Sequence, residues 1–241
     1  MTIGFFILLF IVALLYASVG HGGASGYLAL MAIYGFAPEV MKPTALILNL
    51  FVSLTSFILF YKGGHFKWKL FLPFALASIP FSFLGGTIVL DAHLYKKFLG
   101  ILLIFPVIRF FIYPNTSDKE LKESNWPISL LVGAIIGFLS GLIGIGGGIL
   151  LSPVLLLLSW TNQKQTAAIS ALFIFVNSIA GLAGQFSHGI EIQPQMLIFV
   201  AISFIGGLIG AGLGSLKFNQ QILKYTLAVV LLMASIKLIL T

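Results

Sequence analysis

The sequence contains no cysteine, and only 8% of its 241 residues are charged. The first absence removes disulfides and thiolate metal sites. The second removes a soluble domain, where about a quarter of residues carry charge. Acidic side chains are scarce, and all six of them, Glu39, Asp91, Asp118, Glu120, Glu123 and Glu191, fall in connecting stretches or at the ends of apolar runs. Cation carriers and proton pumps commonly hold a carboxylate within the membrane, so a sodium or metal site built from carboxylates is disfavoured. No cofactor or metal is expected. The one polar stretch of any length runs from Pro114 to Asn125, PNTSDKELKESN.

What is present is hydrocarbon: 59% of the residues are hydrophobic and the mean hydropathy is +1.12. Such a chain belongs in a bilayer. The formal charge of +7 is scattered between apolar runs and builds no basic face with interleaved aromatics, so no nucleic-acid partner is expected. Apolar runs lie at 3–19, 26–36, 44–61, 70–90, 95–113, 128–143, 148–160, 166–186, 195–216 and 221–240. All read as helices, since a membrane barrel shows short alternating segments instead. The first lacks the basic flank of a secretory signal and reads as a retained membrane helix. The second and seventh fall short of the roughly 17 to 20 residues of a full crossing.

The polar stretch divides the ten runs five and five, predicting an N-terminal membrane repeat over 1–113, a cytoplasmic linker over 114–127 and a C-terminal repeat over 128–241. Local sequence supports a duplication: Gly20-His21-Gly22-Gly23 answers Gly144-Ile145-Gly146-Gly147, Lys42-Pro43-Thr44-Ala45 answers Lys164-Gln165-Thr166-Ala167, and Phe83-Leu84-Gly85-Gly86 answers Phe204-Ile205-Gly206-Gly207. If the first two runs of each half form two crossings or a re-entrant hairpin, the halves are inverted, and nine Lys and Arg face one side against four on the other. If they form one broken crossing, the halves are parallel and the bias almost vanishes. The positive-inside rule favours the inverted arrangement, with both termini outside. The expected fold is therefore an all-α, multi-pass membrane protein of two inverted repeats, the short second segment of each following a glycine-rich break.

The breaks carry the functional expectation. GLIGIGGGILLSP, residues 141–153, holds five glycines between Gly141 and Gly148, and a fainter copy, ASVGHGGASGYL, runs from Ala17 to Leu28. A helix broken within hydrocarbon is tolerated only where it is buried in protein or lines a wet cavity. Paired breaks in inverted repeats are where secondary transporters bind substrate. A helix N-terminus beyond a glycine break offers free N–H donors and partial positive charge, an anion site without a fixed cation. Gly20, Gly22, Gly23, Gly144, Gly146, Gly147 and Gly148 are the candidate ligands through their backbone. Gly133/Gly137/Gly141 and Gly206/Gly210/Gly214 instead have the spacing of helix-packing seams.

Side chains near the breaks have two readings each. His21 either donates to an oxyanion or carries a coupling proton, or else faces water at an interface. Ser18, Ser25, Ser140 and Ser152 supply hydroxyls to a pocket or bond back to their own helices. Asn49 and Asn177, inside apolar runs, are interhelical ties or pocket donors. Thr44 and Thr166 read as N-caps, with a pocket role as the alternative. His65, His93 and His188 read as solvated. Trp68, Trp126 and Trp160 read as interfacial anchors, and most of the 23 phenylalanines as lipid-facing.

The doubled G-x-G-G break, the G-x-G-G-G copy with Ser152-Pro153 after it, and TAAISALFIFVNS from Thr166 to Ser178 resemble the sulfite exporter TauE/SafE family of membrane permeases. The resemblance extends over nearly all of both halves and is closer in the second. It implies a multi-pass protein of the bacterial inner membrane that moves sulfite, sulfonates or related small anions. The first copy departs from the pattern: Gly26-Tyr27 stands where a proline is expected, and His21 where an apolar residue is expected, so the two sub-sites are unequal. The expected activity is alternating-access transport of a sulfur oxyanion, with a channel of the same fold or a permease for another organic anion as alternatives. Enzymatic activity is disfavoured, because Ser140-Gly141 follows Phe138-Leu139 and so lacks the first glycine of a rhomboid G-x-S-G, and no paired mid-run aspartates exist.

Overall fold

The structure is a computed structural model that describes residues 3–18, 21–112, 121–189, 193–214 and 220–240. It is all-helical over those residues. Ten helices follow the ten apolar runs: α1 (Ile3–Ser18), α2 (Ala24–Ile33), α3 (Pro38–Lys62), α4 (Trp68–Gly86), α5 (Ala92–Ile112), α6 (Trp126–Ile143), α7 (Gly148–Leu157), α8 (Gln163–Phe186), α9 (Pro194–Gly214) and α10 (Gln220–Leu240). Five are long and apolar enough to cross a membrane, namely α3, α4, α6, α8 and residues 194–212 of α9. The predicted linker is described only from residue 121 onward.

Helix starts follow from local chemistry. The Asn125 side chain accepts from the Ile128 amide ahead of a proline-led α6, and Asn162 with Gln165 forms a reciprocal capping box at the start of α8. The threonines expected as caps lie deeper. α3 begins at Pro38 after Ala37, and Thr44 bonds back to the Val40 carbonyl. Thr166 bonds back to the Asn162 carbonyl at 2.8 Å. Polar residues ahead of each apolar run are already helical, which carries both threonines into the first turns.

The two shortest helices are arms of hairpins. Phe5, near the start of α1, meets Tyr34 and Phe36, just past the end of α2, at ring-centroid distances of 5.1 and 5.3 Å. At the other end of the pair, Tyr16 Oη lies 2.8 Å from Ser25 Oγ. α1 therefore runs in and α2 runs back to the same face. The second hairpin is closed at its base by the Lys122 amide donating to the Ser159 carbonyl at 2.8 Å. Both tips reach the level of Asn49, the midpoint of the 25-residue α3.

Glycine seams hold the hairpins in the bundle. A Cβ on Gly133, Gly137 or Gly141 would fall on the main chain of Phe74, Ser78 or Ser82 in α4, and one on Gly206 or Gly210 on the Phe10 or Leu14 carbonyl in α1. The packing expectation is met at these five; the surroundings of Gly214 lie outside the described residues. Trp160 differs from its expectation as an interfacial anchor. It is buried in the turn between α7 and α8 and packs on Phe74.

α3 and α8 cross antiparallel, with Asn49 against Ser178 and Leu46 against Gly181. Most pairings recur five helices on: α1 with α9 and α6 with α4, α3 with α9 and α8 with α4, α2 with α10 and α7 with α5.

Candidate functional site

Seven described glycines have positive φ, and four of them sit at the hairpin tips: Gly23 (92°), Gly144 (87°), Gly146 (72°) and Gly147 (77°). L side chains are costly in that region. Gly144 ends α6, while Gly147 caps α7 and Gly23 caps α2. The two tips meet on shared neighbours. A Cβ on Gly22 would lie 2.6 Å from Asn49 Oδ1 and 2.9 Å from Ile174 Cγ2. One on Gly146 would meet the same Asn49 amide, the same Ile174 methyl at 2.9 Å and Ser178 Oγ at 3.2 Å. Gly148 packs on Ile174 as well. Gly20 lies outside the described residues.

Asn49 holds this junction. Its Oδ1 accepts from the Ala24 amide, the first of α2, at 3.1 Å, and its Nδ2 donates to Ser178 Oγ at 3.3 Å. The remaining amides of the two tips, those of Gly22, Gly23, Ser25 and Gly26 and of Gly146, Gly147, Gly148 and Ile149, find no acceptor among the described residues. Free donors at a helix start are the rule. Here two sets face one junction at mid-bundle. Ser140 adds a fully buried hydroxyl without a partner, and its Cβ is 3.4 Å from a Cβ built on Gly147.

A second polar link ties the hairpins. His21 Nε2 is 2.9 Å from Ser152 Oγ, across 131 residues of chain. Ser152 donates to the Gly148 carbonyl at 2.8 Å and lies 2.8 Å from Ser170 Oγ on α8. Ser25 bonds Tyr16 instead, and Ser18 bonds back to Leu15.

Two candidates stand apart from the junction. Thr166 pairs with Thr161 Oγ1 at 2.7 Å in the α7–α8 turn. Asn177 faces α4: its Nδ2 donates to Ser78 Oγ at 3.0 Å and to the Phe173 carbonyl at 2.8 Å, and its main-chain carbonyl accepts from Ser82 Oγ at 2.8 Å. Sequence reasoning missed Ser170, Ile174 and Ser178, one stripe of α8 at four-residue spacing. That periodicity was visible inside TAAISALFIFVNS, but an isoleucine in an apolar run looks like any core residue. His93 and His188 are exposed as expected, whereas His65 is only partly so.

Comparison of the sequence with known proteins finds similarity to membrane transporters. The sequence model of the family described as Sulfite exporter TauE/SafE matches residues 5–238. A probable membrane transporter protein of Sinorhizobium fredii is 39% identical over 251 residues, covering 99% of this chain and 98% of its own. One of Methanocaldococcus jannaschii is 30% identical over 88% of this chain and 84% of its own, and one of Bacillus subtilis 24% identical over 84% and 81%. No solved structure matches.

Proposed function

The chain belongs to the sulfite exporter TauE/SafE family, and we propose that it is a secondary carrier of small sulfur oxyanions, sulfite or sulfonates, working by alternating access around the meeting point of its two hairpins. The observation that carries this reading is the contact of both glycine tips with the same Asn49 and Ile174. Two helix N-termini then face one position, where amide donors and the Ser140 hydroxyl stabilise negative charge without a fixed cation.

The halves 1–113 and 128–241 are read as inverted repeats joined by 114–127. Support comes from the antiparallel course of α3 and α8 and from the exchange of helix partners five positions on. Each hairpin then enters from its own face of the bilayer and ends at mid-depth, so each tip closes the path from one side. Displacing one tip at a time exposes the anion alternately. Tips in contact across the junction favour this gated scheme over a standing pore.

The test is flux of sulfite and of a sulfonate into liposomes containing the purified protein, compared with Gly146→Leu and Gly147→Leu. Both variants are expected to lose saturable uptake while keeping a monodisperse elution profile. Unchanged transport in both overturns the glycine site.

A further inference from the structure

We propose that Tyr27 is an anion-binding residue, its hydroxyl serving the first hairpin as the Ser140 hydroxyl serves the second; this rests on the anion-carrier reading above. Gly23 and Gly147 close the same four-residue motif in the two halves. They share one left-handed conformation, φ 92° with ψ 0° and φ 77° with ψ −15°, and each caps a ten-residue helix. Over each lies a hydroxyl that is fully buried and finds no hydrogen bond among the described residues. Tyr27 Oη is 2.7 Å from a Cβ built on Gly23, and Ser140 Cβ is 3.4 Å from one built on Gly147.

The two hydroxyls come from different elements. Ser140 sits on α6, four residues ahead of Gly144, and the residue four ahead of Gly20 is Tyr16. The Tyr16 hydroxyl is bonded to Ser25, and the phenol over Gly23 arrives from α2 instead. Helical side chains lean toward the N-terminus of their helix. Tyr27, in the first turn of α2, therefore carries its hydroxyl back to the capping glycine, where the Gly22 and Gly23 amides also find no acceptor among the described residues.

A buried phenol ordinarily finds a partner for its O–H. Ser203 Oγ on α9 is the hydroxyl neighbour of Tyr27, and it too is fully buried without a hydrogen bond. Two hydroxyls carry two protons, and a bond between them would use only one, so this pair always leaves an O–H to donate. It lies at the level of Asn49, since the rings of Phe51 and Phe204 are 6.0 Å apart and Val52 covers Gly207. Ser53 and Ser56 are unpartnered as well, but they continue α3 beyond Asn49 and lie over neither capping glycine. A neutral donor at each tip suits an anion with several oxygens, which accepts charge-assisted hydrogen bonds from both sides at once.

The experiment uses the purified full chain, with sulfite and methanesulfonate as probes. Isothermal titration gives dissociation constants, anion-free samples give melting temperatures, and liposome uptake gives KM for sulfite. Tyr27→Phe keeps the ring over Gly23 and removes only the hydroxyl. It is expected to bind the anions about tenfold more weakly, as loss of a hydrogen bond to a charged group implies, and to raise KM by the same factor. Its melting temperature is expected to stay at or above that of wild type, because the hydroxyl removed has no partner in the protein. Tyr16→Phe takes the same atom from the same hairpin but strips Ser25 of its partner, so it is expected to melt lower with dissociation constants unchanged. Wild-type affinity in Tyr27→Phe overturns the proposal. So does a Tyr27→Phe protein that fails to fold or melts as low as Tyr16→Phe, since the phenol would then be a structural tie. Equal affinity losses in the two variants overturn it too, because hairpin packing would explain both. If wild type neither binds nor takes up sulfite, the carrier reading itself has failed and this inference falls with it.

Discussion

Two buried asparagines have opposite tasks, although each interrupts an apolar run in the same way. Asn49 reaches the Ala24 amide and Ser178; Asn177 reaches Ser78 and the Phe173 carbonyl. Removing Asn49 leaves an amide and a hydroxyl buried and unpaired, a cost of about 1–3 kcal/mol for each group, and loosens the α2 tip. Asn49→Ala is therefore expected to raise KM for sulfite at least tenfold as well as lower the melting temperature. Asn177→Ala is expected to lower the melting temperature with KM unchanged, because its bonds tie α8 to α4. Uptake kinetics and melting curves of the two variants separate these outcomes, and equal KM effects would erase the distinction. Thr166→Val serves as the neutral reference, with transport at wild-type levels. The sequence marked both asparagines as costly to bury. It left their facing open, because adjacent residues on α8, Asn177 and Ser178, point at different helices, and only the bundle decides which helix lies on each side.

At the level of helices, glycines act in two ways that spacing separates. The i, i+4 glycines of α6 let the α4 main chain approach at Phe74, Ser78 and Ser82, whereas the dense run from Gly144 to Gly148 bends the chain back through positive φ. Gly137→Ala places a methyl on the Ser78 carbonyl, so the variant is expected to lose stability while the folded fraction transports with ordinary KM. Gly146→Ala places it on the Asn49 amide and adds roughly 1–2 kcal/mol of backbone strain, so transport is expected to fall before stability does. Melting curves run beside initial uptake rates distinguish the two, and a stability loss alone at Gly146 would assign it to packing. Helix positions were legible within a few residues because apolar runs in a bilayer must be helical. The hairpin was not, since a short run after a break fits a re-entrant arm or the second half of one crossing. The ring contacts of Phe5 with Tyr34 and Phe36 show α2 running back beside α1, as two crossings or a re-entrant hairpin require and one broken crossing does not.

For the whole molecule, that choice sets the topology. On the inverted-repeat reading proposed above, each hairpin begins and ends on one face while α3–α5 and α8–α10 cross, which would put the α2–α3 turn and the α4–α5 turn on one side and the α3–α4 and α7–α8 turns on the other. One broken crossing per half would instead put the α2–α3 turn on the same side as the α7–α8 turn. The chain has no cysteine, so single cysteines report without background. Tyr34→Cys and Val89→Cys, at positions 40% and 75% exposed, are expected to react with a membrane-impermeant maleimide from outside intact cells. His65→Cys and Ser159→Cys are expected to react only after the membrane is opened, in keeping with the basic residues gathered on that side. Labelling of Tyr34→Cys and Ser159→Cys from one side would make the halves parallel. The two helix N-termini would then approach from a single face, and alternate opening at opposing tips would lose its structural basis.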